Sequence, residues 1–169
     1  LSISPPLLEM FTDEHLMEKY LKYLDRLIEL STKEIARLKD NREFLPLARF
    51  YHKTFKEVKS FFINFLQCNV INGYRYFVEL GKLEIITCCA THGFLPLLSI
   101  NPQTVEVQIS VAVDSHVKHF GRPPDGIWLP ECAYYKGLDE VLKRHDITFF
   151  FLDSHGLMNG KPAPKYAVY

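Results

Sequence analysis

A carboxylate, a thiol and a phenol follow one short apolar run near the middle of the sequence. The run 126–130, which contains Trp128, ends on Glu131, and Cys132 and Tyr134 come next. In proteins of alternating strands and helices, catalytic groups stand at the C-terminal ends of strands. A carboxylate there can trap an oxocarbenium-like carbon beside aromatic rings that stack on sugars. The sequence predicts a sugar-cleaving site with Glu131 as nucleophile or general acid, and the alternative is an ion pair at a strand end.

His92 follows a second apolar run, residues 83–89, through Ala90 and Thr91. Near-continuous apolar character is typical of a parallel strand that is covered on both faces. An imidazole at its end could hydrogen-bond a ligand hydroxyl, or it could only tie down the turn before Gly93. Both interpretations remain open from the residues alone.

A third apolar run, residues 147–152, ends on Asp153, Ser154 and His155. Asp153 and His155 could bind ligand or support Glu131, and Asx-type capping of a loop is equally consistent. Because the ends of parallel strands share one edge of a sheet, all three polar tips are expected at that edge.

The aromatic residues next to Glu131 admit two interpretations each. Trp128 lies within a predicted strand, so it points either to a sugar or to the core, and the core is favoured. Tyr134 could line a sugar subsite or cover the start of the next helix.

His116 and His119 stand at i, i+3 on a predicted helix. No third ligand occurs at a useful spacing, so a solvated helix face is predicted instead of a metal site. No metal or organic cofactor is indicated by any spacing in the chain.

Alternating strands and helices predict a parallel α/β sheet. The predicted helices cover residues 13–39, 45–66, 102–120 and 138–144, and the predicted strands cover residues 1–3, 83–89, 127–129 and 147–152. The stripe of large side chains on the second helix is expected to be core, and it comprises Tyr51, Phe55, Val58, Phe62 and Phe65.

The composition excludes some function classes. Lys plus Arg and Asp plus Glu are 20 each among 169 residues, so charge gives no case for nucleic acid or an anionic membrane. No apolar run approaches the length of a membrane span. The four cysteines show no metal-site spacing and no secretory signal precedes them, which predicts buried thiols in a reducing, cytoplasmic compartment.

Several of these segments resemble glycoside hydrolase family 57, and most closely its 1,4-α-glucan branching members. The segment around Glu131 is quite specific, and the resemblance covers essentially the whole chain. The similar segments are residues 1–8, 90–98, 120–124, 127–134 and 153–156.

The resemblance implies an α/β fold that forms part of an incomplete (β/α)7 barrel, with long helices. It implies a retaining reaction in which Glu131 attacks the anomeric carbon of an α-1,4-glucan, a second carboxylate protonates the leaving oxygen, and a 6-hydroxyl accepts the glycosyl group. The predicted substrate-binding residues are His92, Trp128, Tyr134, Asp153 and His155.

The chain departs from the family pattern in two ways. Lys136 precedes Gly137 where the family usually has Pro-Gly. The family's acid/base aspartate and its early histidine-bearing strand have no counterpart here. Residues 1–169 are therefore expected to be part of one catalytic barrel domain that lacks its first strand and its C-terminal part. Alone they are expected to be inactive, and marginally stable or oligomeric because sheet edges are open.

Three functions remain as alternatives to branching. An α-amylase or a 4-α-glucanotransferase would use the same nucleophile with a different acceptor. A non-catalytic glucan-binding or structural piece would not depend on Glu131.

Overall fold

The structure, a computed structural model, describes residues 1–161. The chain divides into two compact units. One is formed by Leu1–Leu8 with the described part of the chain from Gly81, and the other by Glu9–Leu80. All the strands and all the predicted site residues belong to the first unit.

The described residues form eight α-helices and three short strands, joined by turns and loops. The helices are α1 (Pro5–Thr12), α2 (Glu14–Arg37), α3 (Leu45–Asn64), α4 (Val70–Glu79), α5 (Leu95–Leu98), α6 (Pro102–Phe120), α7 (Leu138–Arg144) and α8 (Ser154–Met158). The strands are β1 (Thr87–Cys88), β2 (Gly126–Trp128) and β3 (Phe149–Phe150), and a single 3-10 turn covers Pro130–Cys132. Within residues 1–161, no helix combines the length and apolar character needed to cross a bilayer.

Local capping explains why the predicted helices begin where they do. The Asp13 side chain accepts from the Leu16 N–H at 2.8 Å and starts α2. Asn101 caps α6 ahead of Pro102, and α6 ends at Gly121 with a left-handed φ of 75°, which glycine adopts without a steric penalty. The sequence predictions for α2, α3, α6 and α7 are confirmed.

Four helices, α1, α4, α5 and α8, were not predicted. Pro5 was expected only to stop a strand, but it begins α1, because proline at the first helical position lacks only an N–H that the helix would leave unused. Asn69 caps α4 through the Ile71 N–H.

The expectation that the stripe on α3 forms a core is mostly wrong. Phe62 is buried and meets the Tyr20 ring edge-on at 5.0 Å. Tyr51, Val58 and Phe65 are exposed. A stripe at helical spacing marks a face, and burial of that face requires a partner along its whole length.

The sheet is parallel, in the order β1–β2–β3, as predicted. A single parallel bridge adds Ser2 beside Ile86. β1 and β3 are shorter than the apolar runs that predicted them, whereas β2 has the predicted length and begins one residue earlier. One face packs against α5, α6 and α7, and the buried cluster there comprises Cys89, Leu95, Val105, Ile109, Ile127, Leu129, Leu138, Leu142 and Ile147.

Candidate active site

The polar residues that follow β1, β2 and β3 all lie at the same edge of the sheet. Thr87 pairs with Ile127, and Ile127 pairs with Phe150, all in parallel register. The C-terminal ends of β1, β2 and β3 therefore point the same way, as the sequence predicted. In parallel α/β sheets this is the edge at which ligands bind.

Glu131 is held in an unusual backbone conformation. Its φ is 57° and that of Cys132 is 51°, and the left-handed region costs a residue with a Cβ about 1–2 kcal/mol. The Cys132 N–H donates to the Leu129 carbonyl at 2.9 Å and closes a tight turn. The Glu131 side chain is 73% exposed. The turn accepts strain and presents the carboxylate to solvent, a combination that is common at functional sites.

His92 has the same left-handed conformation, with φ 55°. Its turn is clamped by Gln108 of α6, whose Oε1 accepts from the Thr91 N–H at 3.0 Å and whose Nε2 donates to the Thr91 hydroxyl at 2.8 Å. A Cβ on Gly93 would lie 2.7 Å from Leu98. A larger residue at position 93 would therefore require the Leu98 side chain to shift.

His92 and Glu131 meet at the sheet edge. Nε2 of His92 lies 3.5 Å from Oε1 of Glu131, a separation that is long for a hydrogen bond but typical of catalytic pairs without substrate. On the other side of the ring, Nδ1 lies 3.2 Å from the Cys88 sulfur. Burial raises the pKa of Cys88 to about 11, so this side chain remains a thiol at neutral pH.

Trp128 does not lie in the core, and that expectation is wrong. Its neighbour Ile127 is fully buried against the helices, whereas Trp128 is 37% exposed. The indole lies 5.9 Å from the Phe151 ring. Both line a cleft of about 460 Å³ on the opposite sheet face, together with Leu1, Ser2, Glu84, Ile86 and Phe149.

Tyr134 covers the start of α7. Its ring stacks on Phe150 at 5.7 Å and 8°, and its hydroxyl donates to Oδ1 of Asp139 at 2.8 Å. This hydrogen bond raises the pKa of Tyr134 and lowers that of Asp139. The outer ring surface remains exposed, so a helix-covering role and a sugar contact are compatible.

Asp153 and His155 lie at the third tip. Ser154 begins α8 directly after Asp153, a helix that the sequence did not predict. Oδ1 of Asp153 accepts from the Ser154 N–H at 2.9 Å, and Oδ2 lies 3.6 Å from Nδ1 of His155. Both side chains are largely exposed and are available to a ligand.

The His116 and His119 pair is buried, so the predicted solvated face is wrong. Their exposed fractions are 1% and 3%. His116 Nδ1 lies 2.8 Å from the Arg122 carbonyl and Nε2 lies 3.1 Å from the Ile85 carbonyl. A neutral ring has one N–H, so it donates to one of these two carbonyls, and its position between them gives it a structural role. Across residues 1–161, no three His, Cys, Asp or Glu side chains are grouped to bind a metal.

Two residues of the site were missed in the sequence. Gln108 is 17 residues from Thr91, and no local pattern links them. Cys88 carried a weak signal, since strand alternation places Cys88 and Cys89 on opposite faces. Only Cys89 packs in the core cluster, which leaves Cys88 facing His92.

Comparison with known proteins shows the family. The profile of glycosyl hydrolase family 57 matches residues 4–169. The chain belongs to this family. The edge that carries Glu131 and His92 is therefore the edge of a family 57 sheet.

Individual relatives agree with this assignment. A 1,4-alpha-glucan branching enzyme of Thermococcus kodakarensis is 28% identical over 98% of this chain and 26% of its own length. The crystal structure of the alpha-amylase AmyC from Thermotoga maritima matches with TM-score 0.89 and 43% identity, over 92% of this chain and 30% of that one. A branching enzyme from Pyrococcus horikoshii matches with TM-score 0.86 and 32% identity, over 94% and 32%. The chain thus spans about a quarter to a third of the length of these relatives.

Proposed function

We propose that the chain is part of a retaining enzyme that acts on α-1,4-glucans and forms α-1,6 branches by glycosyl transfer, with Glu131 as the nucleophile. The observation that carries the proposal is the strained, exposed carboxylate of Glu131, 3.5 Å from His92 at the C-terminal edge of a family 57 sheet. The named branching enzymes among the relatives support the choice of reaction.

In the proposed reaction, a Glu131 oxygen bonds to the anomeric carbon as the glycosidic C–O bond breaks. A second carboxylate, about 5–5.5 Å away in a retaining enzyme, gives its proton to the leaving oxygen. The 6-hydroxyl of another glucan then attacks the same carbon, returns a proton to that carboxylate and releases Glu131. His92 would donate to the nucleophile or to a sugar hydroxyl. Trp128, Tyr134, Asp153 and His155 are the proposed substrate contacts.

The wider arrangement is part of the same proposal. The three parallel strands would belong to an incomplete (β/α)7 barrel whose other strands supply the acid/base carboxylate. Residues 1–169 alone would then turn over no glucan. The proposed partner is an α-1,4-glucan in the cytoplasm, and the chemistry requires no metal or organic cofactor.

Hydrolysis is the second candidate. The Thermotoga maritima structure named as an alpha-amylase shares 43% identity, against 32% and 28% for the two branching enzymes. In a hydrolase, water would replace the 6-hydroxyl, and in a 4-α-glucanotransferase a 4-hydroxyl would do so. All three share the glycosyl-enzyme on Glu131, whereas a non-catalytic glucan-binding piece would not form it.

Product linkages from amylose distinguish these functions. The full-length protein that carries this sequence is compared with its Glu131→Gln variant, and with Glu140→Gln as a control at an exposed carboxylate on α7. New α-1,6 linkages by NMR with few new reducing ends, lost only in Glu131→Gln, are the expected result. Many reducing ends without α-1,6 linkages would establish hydrolysis. Unchanged products in Glu131→Gln would refute the nucleophile assignment.

A further inference from the structure

Cys88 lies behind the His92 ring, on the side away from Glu131. Its sulfur is 3.2 Å from Nδ1, while Nε2 is 3.5 Å from the Glu131 carboxylate. Cys88 is only 2% exposed, whereas the His92 side chain is 52% exposed. A buried thiol, an imidazole and an exposed carboxylate therefore form a line that runs outward from β1.

The protons in this line can be assigned from donor and acceptor rules. An ionised carboxylate only accepts hydrogen bonds, and a neutral imidazole has one N–H. With the N–H of a neutral ring on Nε2, which faces Glu131, Nδ1 is the acceptor. Since burial keeps Cys88 as a thiol, its S–H is the donor that Nδ1 requires.

We propose that Cys88 is a positioning residue whose S–H donates to Nδ1 of His92 and so fixes the tautomer that aims Nε2–H at Glu131. The catalytic consequence of this inference rests on the proposed function, but the tautomer itself does not. The opposite tautomer would place a nitrogen lone pair against the carboxylate, and the two groups would repel each other. The identity of the hydrogen-bond partner of one ring nitrogen commonly decides which nitrogen carries the proton.

The hydrogen bond between Cys88 and His92 adds a constraint that the strained turn does not supply. His92 is in the left-handed region, and Gln108 clamps the adjacent Thr91. The clamp fixes the backbone of the turn but leaves rotation of the imidazole free. Cys88 supplies the contact that selects the ring orientation from inside the sheet.

Three variants of the full-length protein test the inference. Cys88→Ala removes the donor, and Cys88→Ser replaces it with a hydroxyl donor. Cys89→Ala is the matched control, because Cys89 is equally buried one residue along and belongs to the core cluster on the other face. Melting temperatures check that all three fold.

The readouts are the tautomer of His92, from ¹⁵N NMR of histidine-labelled protein with His92→Gln for assignment, and kcat separately from KM. The expected wild-type tautomer carries its proton on Nε2. Cys88→Ala should give a mixture of tautomers and a fall in kcat of up to about tenfold, the loss of one modest hydrogen bond, with KM little changed. Cys88→Ser should restore both, and Cys89→Ala should alter neither.

A wild-type spectrum with the proton on Nδ1, or on both nitrogens, would overturn the inference whatever the turnover. An unchanged tautomer in Cys88→Ala would also overturn it. If the tautomer follows the donor as expected but the wild type does not act on glucan, the inference stands and the proposed function fails. If Glu131→Gln abolishes glucan turnover while Cys88→Ala keeps both its tautomer and its rate, the inference alone fails.

Discussion

Glu131 combines a strained backbone conformation with an exposed carboxylate. Its left-handed φ of 57° would suit glycine, and the turn nevertheless holds a glutamate. Pro130 before it and the hydrogen bond from Cys132 to Leu129 are features of a type II turn, whose third position favours glycine. The proposed nucleophilic role would be a reason to keep a carboxylate at this position.

Two substitutions separate the strain from the chemistry. Glu131→Gln keeps the strained Cβ and loses the charge, whereas Glu131→Gly also removes the Cβ. Because glycine adopts this conformation freely, Glu131→Gly should be more stable to urea than Glu131→Gln by up to about 1 kcal/mol, and both should lose turnover. A glycine variant clearly less stable than the glutamine variant would show that the turn stores no strain.

His116 predicts a pH dependence of stability. Burial lowers the pKa of His116 below its usual 6.5. Below pH 6.5, the imidazole is therefore protonated more readily in the unfolded chain than in the folded chain. The stability contribution is full above pH 6.5 and declines as the pH falls. Urea unfolding between about pH 7 and pH 5 should show this slope, and His116→Gln should reduce it. Equal slopes in the two proteins would contradict the assignment.

At the scale of elements, α6 is the part that positions the site. The side-chain amide of its Gln108 hydrogen-bonds to Thr91 through both its oxygen and its nitrogen. Its Ile109 packs in the buried cluster beneath β2. One helix thus joins the core to the turn that carries His92. Two of the hydrogen bonds of the turn thus come from outside the loop itself.

Removal of the two Gln108 hydrogen bonds should reduce both activity and stability. Gln108→Ala loses two hydrogen bonds to Thr91, so kcat on glucan should fall about tenfold, while unfolding free energy falls by about 1–2 kcal/mol. Gln103→Ala, at an exposed position on the same helix, should leave both unchanged. The kinetic constants and urea titrations of the full-length protein decide the point. An unaffected kcat in Gln108→Ala would mean that the turn holds its shape without α6.

Helix boundaries were predictable where caps are local. Asp13 and Pro102 mark helix starts within a few residues, and α2 and α6 begin there. α1 was not predictable in the same way, because Pro5 is equally compatible with a strand stop and a helix start. His116 was misjudged because its partners, the carbonyls of Ile85 and Arg122, come from other segments.

At the scale of the molecule, the shared edge of the sheet was predictable and most side-chain environments were not. Apolar runs separated by helices required parallel strands, and this brought His92 to Glu131. Ile127 faces the core, so its neighbour Trp128 faces the cleft on the other side of β2. Strand alternation predicts that the two side chains face opposite sides, but not which of them faces the core. The environment of the Tyr134 side chain depends on Asp139 and Phe150, and the positions of these two residues are set only when α7 and the sheet have folded.

The whole account depends on a covalent intermediate at one carboxylate. Family membership and the geometry of the edge support this chemistry, and the different acceptors of branching, transfer and hydrolysis all act after that step. A direct observation of the glycosyl-enzyme therefore tests more of the account than any product assay.

The measurement is to trap that intermediate in the full-length protein with a fluorinated malto-oligosaccharyl fluoride. Fluoride leaves without needing a proton, and the ring fluorine slows the second step, so the sugar should accumulate on the enzyme. Peptide mass spectrometry should find it on the peptide containing Glu131 and find none in Glu131→Gln. A label on a different carboxylate, or turnover of the reagent with inversion and no label, would contradict the account.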